Sequence, residues 1–169
     1  MIKVIEPFVL ALLVGTAAAV SPAHAIEVPL NKSNGFGMTW AKLSHNSTYS
    51  ADEVGCSSCN PYTGDTSCST SLPILCVKTE GAPNPGLATD GYNGWIGGQI
   101  YLTPPTPGNQ IGSLAGANAR CTAAFGPGYQ IAEFHHPGGG WNWYAYGNVN
   151  GATRFWVHIN DQPANCWNP

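Results

Sequence analysis

Six cysteines constrain what this chain of 169 residues can fold into more than any other feature: Cys56, Cys59, Cys68, Cys76, Cys121 and Cys166. They follow a beginning, "MIKVIEPFVLALLVGTAAAVSPAHA", that reads as a bacterial secretory signal peptide. One Lys precedes a short apolar core, and Ala23-His24-Ala25 supplies the small-residue cleavage site. The core, Phe8 to Val20, is too short for a bilayer span of about 20 residues. Pro7 and Pro22 bracket it, which disfavours a buried helix. The expected division is a signal peptide over 1–25 and one domain over 26–169, secreted or periplasmic. An even number of cysteines in an exported chain reads as a disulfide framework. A zinc knuckle on Cys56-x-x-Cys59 is the competing reading, and an oxidising compartment argues against it.

Charged residues make up only 9% of the chain and the formal net charge is −3. Without a basic stripe, nucleic acid and anionic membrane are poor partners, and no nucleic-acid partner is expected. No second long apolar stretch follows the leader, so no membrane span is expected in the mature chain.

Residues 26–54 show no clear period, and 56–76 are dense in turn formers, a stapled loop ending in the strand-like "LPILCVK". A Pro/Gly/Asn stretch leads into "WIGGQIYLT", a strand with Gly97-Gly98 as its bulge. Ser113 is a good N-cap, and Leu114, Ala117, Cys121, Ala124 and Phe125 recur at helical spacing up to the stop at Gly126-Pro127. "YQIAEF" alternates as a strand. "WNWYAYGNV" and "TRFWVHIN" flank Asn150-Gly151, a hairpin signal. In the second of these strands Phe155, Val157 and Ile159 take the core side with Thr153. Arg154, Trp156, His158 and Asn160 take the other. The fold class is α+β, dominated by β-structure.

The run "IYLTPPTPGNQIGSLAGANARCTAAFGPGYQIAEF" resembles the opening of the C-type-lectin-like fold as found in bacterial surface proteins and the endostatin-like group. The helix stretch Gly116-Ala117-Asn118-Ala119-Arg120-Cys121 carries the likeness, with Asn118 where Asp is usual, over about a third of the mature chain. The resemblance implies a single lectin-like domain with long disulfide-stapled loops. It also implies a Cys121–Cys166 bond and a closed Cys68–Cys76 loop. The cysteine loop lies upstream of the helix rather than downstream, and "DQPAN" only echoes the family's calcium tripeptide.

Three functions follow. The first is a binding module for a glycan or other cell-surface ligand. Its face of rings and amides would comprise Trp141, Trp143, Tyr144, Arg154, Trp156, His158 and Asn160. The second is a metal-dependent hydrolase on Glu133, His135, His158 and Asp161, a ligand set suited to zinc. Calcium would instead draw on Asn160, Asp161 and Asn165 with Glu133 or Asp90. The third is a structural surface subunit whose aromatic face meets another protein. "EFHH" itself reads as a strand end and turn, its histidines on opposite sides and Glu133 in need of loop amides or Arg154 as partners.

Overall fold

The computed structural model describes residues 35–136 and 140–167; the expected signal peptide lies outside them. In chain order the elements are β1 (Phe36–Gly37), β2 (Thr39–Asn46), β3 (Ala51–Gly55), β4 (Thr66–Ser67), β5 (Ser71–Leu72) and β6 (Leu75–Thr79). Then come β7 (Asn93–Leu102), β8 (Thr106–Pro107), α1 (Leu114–Phe125), β9 (Gln130–Ile131), β10 (Asn142–Tyr146) and β11 (Phe155–Trp156). One helix among many strands is the expected β-dominated α+β class. No helix among the described residues is long and apolar enough to cross a membrane.

Seven strands form one sheet in the order β11-β2-β3-β10-β7-β6-β9, and it curls until its edges approach each other. Ile74 bridges to Trp156 and Glu133 to His158, so the segment around β11 joins the β6–β9 side as well as β2. Alternation along the strands feeds two cores. Leu75, Val77, Ala132, Phe155 and Val157 point inward with Trp40, Trp143 and Phe134. Ile74, Cys76, Ile131 and Trp156 point outward under α1, with Cys121 and Trp167.

The helix begins as its sequence dictates: the Ser113 hydroxyl accepts from Gly116 N at 3.0 Å. Its buried stripe is narrower than the spacing suggests. Only Ala117 and Cys121 are fully buried, while Leu114 and Ala124 face solvent. Docking relies on polar bonds instead, Asn118 Oδ1 accepting from Ile131 N and Thr122 Oγ1 donating to Tyr129 O, both at 3.0 Å.

The expected bulge lies in β7, where the five residues from Trp95 to Gln99 oppose the three from Tyr144 to Tyr146 of β10. Gly97 takes φ +71 there, a backbone few other residues adopt. Residues 39–55, which show no period, form the β2–β3 hairpin. The far half of β2 runs beyond the core, so burial does not imprint a pattern on it. Asp52 in that hairpin is fully buried. It receives Lys42 Nζ at 2.8 Å, His45 Nδ1 at 2.6 Å and Val149 N at 2.6 Å, and so fixes the chain beyond β10.

Two expectations are corrected. β10 and β11 are not a hairpin: β3 and β7 occupy both edges of β10, and β11 pairs with β2. Asn150 instead caps a local turn, accepting from Ala152 N at 2.8 Å. The cysteines pair as Cys56–Cys59, Cys68–Cys166 and Cys76–Cys121, not as Cys121–Cys166 and Cys68–Cys76. The inner face of α1 looks onto β6, which puts Cys76 within 5.5 Å of Cys121, Cα to Cα. Cys166 lies beyond β11 against β1. A Cβ on Gly37 would fall 2.5 Å from Cys166 Sγ, and one on Gly108 would fall 2.7 Å away.

The loops closed differ greatly, with sequence separations of 98, 45 and 3. Chain entropy assigns about 4–5 kcal/mol to the long loop and about 2 kcal/mol to the short one. Cys68→Ser/Cys166→Ser should therefore lower stability far more than Cys56→Ser/Cys59→Ser in denaturant titration. Non-reducing peptide maps should return the three stated pairs, and a Cys121–Cys166 peptide would contradict this topology.

Candidate functional site

A groove of about 340 Å³ opens where four loops meet. Phe134 and Ile159, both in the inner core, form its floor. Tyr62, Tyr92 and Trp141 wall it, being 59%, 70% and 42% exposed, and His135, Asp161 and Gln162 edge it with polar groups.

Each wall is fixed by the backbone beneath it. Asn60 Oδ1 accepts from Tyr62 N and Thr63 N, both at 3.0 Å. Asp90 Oδ1 accepts from Tyr92 N at 2.7 Å and Asn93 N at 2.9 Å. Both tyrosines thus follow an Asx turn. Trp141 packs edge-on against Phe134 at 5.1 Å between centroids, and its carbonyl accepts from Cys56 N at 2.8 Å.

The loop that carries Asp161 is closed by Asn165. That side chain is fully buried, accepting from Ile159 N at 3.0 Å and donating to Ile159 O at 2.7 Å. It also donates to Gln162 O at 3.3 Å. Its amide is therefore committed to the loop, while Asp90 is exposed and holds its own turn through one carboxylate oxygen.

The predicted binding face is dispersed. Trp141 alone of its members reaches the groove. Trp143 and Trp156 are fully buried, Trp156 donating from Nε1 to Thr106 O at 3.1 Å. Phe155, Val157 and Ile159 do take the core side, but Thr153, expected with them, is exposed, and on the opposite face Trp156 packs under α1 rather than facing solvent. Tyr144 projects from β10 on the side away from Trp143, and Arg154 is a staple. Its guanidinium bonds Thr39 and the Ser57 carbonyl and lies 3.8 Å from Asp65. Asn160 is exposed and His158 buried, both beside a smaller cavity with Glu133.

Of the four proposed metal ligands, three form a file. His135 Nδ1 lies 3.2 Å from Glu133 Oε1, and His135 Nε2 lies 3.8 Å from Asp161 Oδ2. His158, beside Glu133 on the neighbouring bridge, is engaged through Nδ1 with Asn165 Oδ1 at 3.1 Å. Among the described residues no group of three or more His, Cys, Asp or Glu side chains could hold a metal ion.

"EFHH" is a strand end and turn. His135 is exposed and His136 buried, so the two do take opposite sides. Glu133 finds its partner in the His135 backbone amide, at 2.6 Å, and not in Arg154. His136 is integral to the turn: its Nδ1 accepts from Glu133 N at 3.0 Å, which leaves the proton of the neutral ring on Nε2.

Burial holds His136 below the 6.5 of a free imidazole, against the opposing pull of the Glu133 charge. It holds His158 down likewise, opposed by the bond to Asn165. Compared with protein-family models, with curated proteins and with solved structures, the chain matches none.

The tyrosine walls escaped sequence reading, although a signal was present. Asn60-Pro61-Tyr62 and Asp90-Gly91-Tyr92 each place an aromatic two residues after an Asx turn-former.

Two predictions follow from this geometry. Trp156→Ala should cost about 3–5 kcal/mol, as for a large buried ring. Trp141→Ala should cost about 1 kcal/mol or less, near the range of surface changes. Thermal melts of the two variants compare them directly, and equal losses would show that Trp141 is a core residue.

For His136 and His158 the folded pKa lies below the unfolded one. Their contribution is complete above about pH 6.5 and is lost as pH falls below it, because the unfolded chain then binds more protons. Melting temperature should drop between about pH 7 and pH 5. His136→Gln should be less stable at neutral pH yet show a shallower acid-side drop.

Proposed function

We propose that the chain is an exported binding module of C-type-lectin-like architecture that takes a glycan in the groove between Tyr62, Tyr92 and Trp141. The observation that carries this reading is three solvent-exposed rings gathered on one concavity above an apolar floor. Ring faces stack on the C–H patches of a sugar, while Gln162 and Asp161 are suited to hydrogen-bond its hydroxyls. The domain is small and sparsely charged, and a scattered set of exposed aromatics would need no explanation; their convergence does.

The lectin-like architecture draws support from the Cys-bearing helix set between a long strand and a short one, and from the antiparallel pairing of β2 with β11 near the two ends of the domain. Export to the periplasm or medium agrees with three disulfides and no free cysteine among the described residues.

Calorimetric titration of the mature chain against short oligosaccharides tests the reading. Trp141→Ala and Tyr92→Ala should each weaken binding about fivefold, the share of one stacked ring at about 1 kcal/mol, with little change in melting temperature. Unchanged affinity in both variants would place the ligand elsewhere.

A further inference from the structure

From the composition of the groove we infer that the preferred ligand is cationic, a sugar bearing a free amine rather than a neutral or acidic one. This rests on the glycan reading and narrows it. Tyr62, Tyr92, Phe134 and Trp141 all border the groove, and no Lys or Arg is among its described lining residues. Aromatic faces carry negative quadrupole density and attract an ammonium placed over them.

Charge at the rim has the complementary sign. The Asp161 side chain is 56% exposed, and the His135 ring lies 3.8 Å from it, beyond hydrogen-bond reach. Its carboxylate is thus available to an incoming donor. Glu133, which lines the neighbouring smaller cavity, has its oxygens engaged by the His135 amide and ring.

Two basic side chains on and beside the closing strands are committed elsewhere. Arg154 is bound to Thr39 and Ser57, and Lys42 to Asp52, Asn148 and Val149. An acidic sugar would therefore meet Asp161 with no described countercharge in the groove. An N-acetylated sugar would gain the stacking but forfeit the ammonium contacts. A free amino sugar satisfies both the rings and the carboxylate.

The groove is open to water, so the preference is moderate: about tenfold, equivalent to about 1.4 kcal/mol, summed over an exposed cation–π contact and an exposed ion pair. It should weaken as salt is raised.

The test uses the mature chain with two probes of equal length, a glucosamine tetramer with free amines and its fully N-acetylated counterpart, titrated near neutral pH. The expected result is tighter binding of the amine form, with an affinity ratio that shrinks at high salt and falls toward one in Asp161→Asn. Circular dichroism should show that variant to be folded. Equal or tighter binding of the N-acetylated form would overturn the inference while leaving the glycan reading in place. Failure of both probes to bind would remove both. A ratio that survives Asp161→Asn unchanged at every salt concentration would also overturn the assignment, because the charge read by the ligand would lie elsewhere.

Discussion

The structure depends on closure of the curled sheet through one short segment with no free side. From Phe155 to Ile159 every residue is buried: Phe155, Val157 and Ile159 in the inner core, Trp156 against α1, and His158 on Asn165. Its backbone is shared in the same way. Trp156 N donates to Pro73 O at 2.9 Å, while His158 N donates to Ala132 O at 2.8 Å and its carbonyl accepts from Phe134 N at 2.9 Å. An open sheet exposes unpaired edges that invite association, and joining the edges through 155–159 removes that liability. The Cys68–Cys166 bond stands beside the segment, and Met38 N donates to Ala164 O at 2.8 Å just ahead of Cys166. Closure is thus secured both covalently and by pairing.

The groove is a consequence of this closure. Phe134 and Ile159 come from the two sides of the seam, so its floor exists only once the seam has formed. The 56–65 loop is then drawn in by Asp65, which accepts from Thr39 N at 3.1 Å and Asn60 N at 3.0 Å. Arg154 adds the Ser57 carbonyl from the other side. The Arg154–Thr39–Asp65 set is a polar staple between closure segment and loop, which explains a cation that alternation alone assigns to a binding face. Loops of this domain are held by carboxylates and amides on backbone N–H groups rather than by surface ion pairs, in keeping with its low charge.

Local chemistry was legible in the sequence and long-range pairing was not. Ser113 as N-cap, Gly126 as helix end, the Gly97 bulge and the alternation along 155–159 all depend on neighbours within a few residues, and each appears as expected. The β10–β11 hairpin failed because an Asn-Gly signal is satisfied by a local turn as readily as by a hairpin. What excluded the hairpin was competition from β3 and β7 for the edges of β10, strands about 50 to 90 residues away in sequence. The disulfides failed for the same reason. Spacing cannot say that α1 lies on β6, and the family likeness directed Cys121 to the wrong end of the chain. Trp156 was misplaced because alternation separates two faces without telling whether the second is wet, and Trp143 because its ring is in the inner core itself.

The tyrosine walls show why such a groove can be built from loops at all. An exposed ring on a flexible loop loses much of its binding energy to ordering, at about 1–2 kcal/mol per backbone residue fixed. Here that ordering is completed during folding. Asn60 and Asp90 each hold two consecutive backbone N–H groups, so Tyr62 and Tyr92 are presented on turns already closed. Only the two torsions of each ring remain to be fixed by a ligand. Asp161 is treated alike, with Asn165 bonding the chain on both sides of it. Asx side chains beneath the two tyrosine walls and the Asp161 loop therefore place these aromatic and acidic groups before any ligand arrives, so that affinity depends on the contacts themselves rather than on the cost of assembling them.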